Sequence, residues 1–286
     1  MTFVSPFTVT QSEFLDQNPL KFNMTWKLFL FMLGSASCHL FVGYPPPLRW
    51  HQDITLLIMP LNGDPNAYPP IGQQSFPCKG FHADIDGPEG DPVASWTVGQ
   101  DVTFSLFDST NTTGATMHSP GAAHSGGSCQ VALSYDKGRT WVVVQTWEGD
   151  CPRTQTPGTI TNFYDMDQNY TFSIPKDFPT GHRVIFAWVW INATGNREYY
   201  MSCSSVDISG SGPVTTTTPA GPPLLVANLD PMKQECYTKE GTSVIYPQKY
   251  AVGAPVYRAA VALGLEPFPG PNPDACGSDS LTFVNC

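Results

Sequence analysis

Cys129-Gln130-Val131-Ala132-Leu133-Ser134-Tyr135, then Asp136-Lys137-Gly138, then Trp141-Val142-Val143-Val144-Gln145-Thr146 is the stretch that decides the fold. Two β-prone runs with Asp-Lys-Gly between them read as an antiparallel hairpin. Upstream, Ala94–Val98 leads into Val102-Thr103-Phe104-Ser105-Leu106, which alternates polar and apolar as a half-buried strand does. Downstream, Tyr170–Ile174, Arg183–Trp190 and Tyr199–Ile208 add three more strand-like runs. Helical periodicity competes only at Tyr257–Leu265, and briefly. Short strands punctuated by turn signals predict an all-β chain, an immunoglobulin/fibronectin-III-like antiparallel β-sandwich with long loops.

Composition agrees. Only 13% of the 286 residues are charged, while 25 glycines and 28 prolines are present, which suits a loop-rich β protein better than a helical one. The formal charge of −10 argues against nucleic acid or an anionic membrane as a partner. Eight cysteines contain no Cys-x-x-Cys pair, so disulfides are expected rather than a zinc site. Together with sequons at Asn23, Asn111, Asn169 and Asn192 they indicate the secretory route and an extracellular, cell-wall-associated location.

Lys27, the apolar run Leu28–Leu33 and the small residues Ser35-Ala36-Ser37-Cys38 have the order of a signal peptide. Residues 1–38 are therefore read as an upstream extension plus signal peptide, with Met24 as the start. Residues 39–208 form the sandwich, beginning with a Pro-rich extended segment at 39–72. The stretch 209–223, rich in Ser, Thr, Gly and Pro, reads as a linker. Residues 224–286 are a small appendage carrying Cys236, Cys276 and Cys286, of a size that needs staples or docking to stay folded.

Cleavage before His39 would place the α-amine and imidazole Nδ1 of one residue together as a chelate. A second imidazole would complete a planar three-nitrogen site suited to copper. His82, His118 and His124 can each supply it. Trp188 and Trp190 lie in an apolar run and read as core packing. Tyr44 and Trp50 are better placed to face a substrate.

Several of these residues recur together in one family. His39, Ala122-Ala123-His124-Ser125-Gly126-Gly127-Ser128-Cys129-Gln130, Glu148-Gly149-Asp150-Cys151-Pro152, Phe186–Trp190 and Gly195-Asn196-Arg197-Glu198-Tyr199-Tyr200-Met201-Ser202-Cys203 resemble a fungal lytic polysaccharide monooxygenase. The similarity is to auxiliary activity family eleven, the chitin-active group, and runs from His39 to about Ile208.

The resemblance implies a copper cofactor in a histidine brace. His39 would donate its amine and Nδ1, and His124 its Nε2. Tyr200 would be the axial phenol and Glu198 an acid beside the metal, with Ala122 leaving the solvent-side axial position uncrowded. It implies pairing of Cys78 with Cys203 and of Cys129 with Cys151. It further implies a polysaccharide substrate, an external electron donor and O2 or H2O2, with hydroxylation of a sugar C–H next to the glycosidic bond breaking the chain. Independently of the family, Glu198 and Tyr200 on one strand share a face by the period of two. A monomer is expected. The alternative is a copper-binding or wall-binding protein on the same scaffold without oxidative turnover, and the plainest reading is a secreted module with no metal.

Overall fold

At the turn that joins the central hairpin, Lys137 and Gly138 adopt φ of 63° and 84°. Asp136 Oδ1 accepts hydrogen bonds from Thr140 N (2.9 Å) and Ser134 Oγ (2.8 Å), so an Asx-type contact closes the turn. The computed structural model describes residues 40–49, 76–108, 123–154, 167–229, 234–247, 256–258 and 266–269. In chain order the strands are β1 (Leu40–Tyr44), β2 (Ala94–Thr97), β3 (Asp101–Asp108), β4 (Gly127–Ser134), β5 (Val142–Glu148), β6 (Asn169–Ser173), β7 (Gly181–Asn192), β8 (Tyr199–Ser209), β9 (Thr242–Ile245), β10 (Val256–Arg258) and β11 (Glu266–Pro269).

Two sheets make the sandwich. The smaller has the order β1-β3-β6 and the larger β10-β5-β4-β7-β8-β2, while β9 and β11 pair apart from both. Every predicted strand is present, and the central pairs β5-β4, β4-β7 and β7-β8 are antiparallel as expected. The edges of the larger sheet differ, because β2 runs parallel to β8 and β10 parallel to β5. Two expectations change for the same reason. Leu40–Tyr44, read as part of an extended, irregular segment, is a regular strand because β3 offers it a free edge, and Val256–Arg258, which overlaps the brief helical window at Tyr257–Leu265, pairs with the edge of β5.

Side chains of β7 show how the core divides. Val184, Phe186, Trp188 and Trp190 point between the sheets, where they meet Phe104, Leu106, Tyr170 and Phe172. Ile185, Ala187, Val189 and Ile191 point the other way, into a second cluster with Phe76, Ile85, Leu224, Leu225, Val226 and Leu229. A strand buried on both faces has no polar side to present, so it reads as a continuous apolar run. Trp188 and Trp190 are fully buried, consistent with core packing.

Residues 209–223, expected to be a free linker, are held against the sheets. Thr215 N donates to Thr180 O (3.1 Å), Val143 N to Pro222 O (2.8 Å) and Tyr135 N to Thr218 Oγ1 (3.0 Å). Beyond them, Tyr199 Oη donates to Leu225 O (2.9 Å) and Leu225 N to Gln130 Oε1 (3.0 Å). The described part of 224–246 thus belongs to the same compact unit as the sandwich. An appendage was expected because the segment lacks periodicity, yet its aliphatics are what cover the outer face of the large sheet.

Disulfides join Cys78 to Cys203 and Cys129 to Cys151. Cys236 is also disulfide-bonded, to a partner outside the described residues. Asn192 is wholly buried, and its amide donates to Thr194 O and Asn196 O. That sequon therefore marks a structural asparagine, whereas Asn169 is exposed. Asn23 and Asn111 lie outside the described residues, as do His39, Trp50, His118 and Ala122.

Leu224, Leu225, Val226 and Leu229 are each at most 4% exposed. At roughly 1.5–3 kcal/mol per buried aliphatic side chain, their loss is comparable to the whole stability of a domain. A chain truncated after residue 223 should lose its cooperative thermal transition and bind a hydrophobic dye. A sharp, unchanged melt by circular dichroism would show the sandwich to be self-sufficient.

Candidate metal centre

The site is built where the loop entering β4 meets the loop between β7 and β8. His124, Ser125, Gly126 and Gly127 take φ of 43°, 56°, 78° and 132° in succession. Left-handed backbone at a non-glycine residue costs on the order of 1–3 kcal/mol and persists only where the surroundings hold it. Here they do. Thr194 N donates to His124 O (3.0 Å), Ala193 N to Gly126 O (3.1 Å) and Cys151 N to Gly127 O (3.3 Å). Trp190 Nε1 also donates to Gly126 O (3.0 Å). Gly127 needs its missing side chain, since a Cβ would sit 2.1 Å from Ile191 O.

Three of the predicted residues converge. Tyr200 Oη donates a short hydrogen bond to Glu198 Oε2. The same carboxylate oxygen lies 3.9 Å from His124 Nε2. The Tyr200 ring stacks on Trp190 at 4.5 Å between centroids and lies 6.3 Å from the His124 ring. The expected common face of Glu198 and Tyr200 is thus observed. The neighbouring Tyr199 points to the opposite face and is fully buried.

Orientation of the imidazole follows from packing. A Cβ on Gly195 would sit 2.9 Å from His124 Nδ1, so only a residue without a side chain leaves the ring room there, and the imidazole also hydrogen-bonds with the Thr194 backbone. Nε2 faces the side of Glu198 and Tyr200. Burial pushes the His124 pKa below the ordinary histidine value, against the opposing pull of the Glu198 carboxylate. A neutral imidazole keeps a lone pair for a ligand, and the contact with Glu198 is then not an ion pair. With side chains 20% and 16% exposed, His124 and Glu198 remain open to solvent on one side. A nitrogen donor, a phenol and a carboxylate around one such spot form a donor set that a copper ion fits.

His82, a competing imidazole, is placed elsewhere. It packs on Gly138 at the β4–β5 turn, with Nδ1 3.1 Å from Pro77 O. That turn is a full strand of eight residues from His124, on the order of 25 Å. Hydrogen bonds connect Val42 N to Ser202 Oγ (3.4 Å) and Ser204 Oγ to Pro45 O (2.9 Å), so β1 runs along β8 with its Leu40 end toward Tyr200. Tyr44 is 46% exposed but at the far end of β1 from Tyr200.

The chain is 34% identical over 220 residues, 74% of its length and 82% of the relative's, to AA11 family lytic polysaccharide monooxygenase A of Aspergillus fumigatus. It belongs to the AA11 family of lytic polysaccharide monooxygenases. A further AA11 protein of Aspergillus oryzae is 30% identical over 76% of this chain, and AA11 protein B of A. fumigatus 28% over 76%. The chain spans about half the length of these two. No family model matches the chain. Among solved structures, HiLPMO9B overlaps 62% of this chain and 72% of its own at 17% identity, with a TM-score of 0.32.

Gly195, Asn192 and Arg197 shape the candidate site as much as the candidate donors do. Asn192 Oδ1 accepts from Glu198 N (3.2 Å), and Arg197 donates to Asn192 O (3.0 Å) and Gly195 O (3.0 Å). The motif Gly195–Cys203 contained two of them without revealing their work, and Asn192 was hidden by its sequon. Gly195→Ala should force the His124 ring to move. It should shift the His124 Cε1–H resonance and lower stability by about 1–3 kcal/mol in urea unfolding. An unmoved imidazole would refute the packing argument.

Proposed function

We propose that the chain is a secreted, copper-dependent polysaccharide monooxygenase that oxidatively cleaves chitin or a related β-linked glycan. Membership of the AA11 family and the donors gathered around Glu198 Oε2 support this reading. The observation that carries it is the convergence of His124 Nε2 and Tyr200 Oη on that one carboxylate oxygen.

His39, made N-terminal by processing, would hold copper through its amine and Nδ1, and His124 through Nε2. Copper, when bound, supplies one-electron chemistry with an external donor and O2 or H2O2. The protein's own part is positional. The Thr194–Gly195 backbone, which hydrogen-bonds with the imidazole at Thr194 and gives it room at Gly195, holds the ring with Nε2 toward Glu198. Tyr200, backed by Trp190, fills the protein side of the site and keeps water out of it. Glu198 accepts the Tyr200 proton in a hydrogen bond, which leaves its other oxygen able to hold or pass a proton at the solvent side. Among the described residues no helix is long and apolar enough to cross a membrane.

Secreted protein loaded with copper and given ascorbate and β-chitin should release oxidised oligosaccharides, read by mass spectrometry. His124→Ala should abolish them, and Glu198→Gln should lower their rate by about 10–100-fold, the usual effect of losing a group beside a metal. Copper bound by a His39-led chain without products would favour the non-catalytic alternative. Any other N-terminal residue by Edman degradation would sink the chelate.

A further inference from the structure

We infer that Asn228 and the segment 234–241 position His124, and that Glu240 is the principal positioning residue. The loop between β7 and β8 carries Gly195 on one side of the imidazole and Glu198 on the other. Gly195 has φ of 92° and no side chain with which to anchor itself. Its backbone N–H donates instead to Glu240 Oε1 (3.0 Å). Gly241 N donates to Ala193 O (2.7 Å), fixing the residue three before Asn196 from the same direction. The ascending side of the loop is held as well, since Asn228 Nδ2 donates to Glu198 O (3.1 Å).

The groups that make these contacts are cross-linked, with Asn228 N donating to Cys236 O (3.1 Å). Asn228 and Thr238 bond to each other through Thr238 N to Asn228 Oδ1 (2.8 Å) and Asn228 Nδ2 to Thr238 Oγ1 (2.9 Å), and both are buried. Arg197 ties the two segments together. Its guanidinium donates to Gly195 O (3.0 Å) and Ala193 O (3.3 Å) within the loop, and to Thr238 Oγ1 (3.4 Å) across the gap. A surface loop with a glycine at its tip is otherwise among the most mobile parts of a fold. The route runs from Glu240 to the Gly195 amide, and from the Thr194–Gly195 backbone, which hydrogen-bonds with the imidazole and leaves it room, to His124. A side chain from a segment read as an appendage thereby sets the direction of Nε2.

The inference rests on the proposed function only where copper is used as a probe. Glu240 is exposed, so its substitution leaves the fold intact. In the metal-free protein, Glu240→Ala should shift the His124 imidazole resonances while those of His182, which is paired with Asp207 on β7, stay in place. Glu240→Gln, whose side-chain carbonyl can still accept from Gly195 N, should restore them. With Cu(II), Glu240→Ala should bind about tenfold more weakly by calorimetry and show an altered electron paramagnetic resonance spectrum, and Glu240→Gln should resemble the parent. His124 resonances unmoved in Glu240→Ala, or moved equally in Glu240→Gln, would overturn the inference. Parent protein that binds no Cu(II) would defeat the metal reading alone, because the imidazole resonances decide the positioning without it.

Discussion

A sheet whose central strands are apolar on both faces must be covered twice, and that requirement organises this protein. The β1-β3-β6 sheet covers one face of β5-β4-β7-β8. Among the described residues the other face is covered by the 3-10-helical stretch around Phe76–Ile85, by the irregular residues Leu224–Leu229, and by Val244 of β9 with Tyr246. The backbone groups of Leu225 are satisfied by the Tyr199 hydroxyl and the Gln130 side-chain oxygen, which explains why these polar groups inside the sheet point outward there. The disulfide Cys78–Cys203 fastens the first segment, and a loop closure of this kind typically contributes about 2–4 kcal/mol.

The candidate centre sits where these demands meet. His124 stands in left-handed backbone at the mouth of β4, held by the loop that follows β7, and that loop is in turn held by the covering segment. Coordination chemistry needs such rigidity, because ligands displaced by an ångström lose both affinity and selectivity. The aromatic stack of Tyr200 on Trp190 belongs to the inter-sheet core, so the protein side of the site inherits the stiffness of the sandwich. The solvent side stays open, with His124 and Glu198 partly exposed.

Much of this was legible in the chain. Turn chemistry at Asp136-Lys137-Gly138 and the period of two through Val102–Leu106 depend on neighbouring residues alone, so the strands could be read directly. The set His124, Glu198 and Tyr200 was legible through family resemblance, since a histidine in a glycine loop and a tyrosine in a strand have many ordinary uses. The parallel edge strands were not legible, because pairing partners far apart in sequence decide them. The reading of 209–223 as a free linker failed for a related reason. Low periodicity signals irregular backbone, and irregular backbone can lie on a core as readily as in solvent.

By itself, then, the sequence determined the strands, the central hairpin and the class of fold, because each follows from local conformational preference, and through its family resemblance it named His124, Glu198 and Tyr200 as candidates. Only the tertiary structure decided which nitrogen of His124 is presented, that Asn192 is structural, and that Glu240 reaches Gly195. Those are matters of packing between segments tens of residues apart, and no local pattern encodes a contact whose two halves meet only after folding.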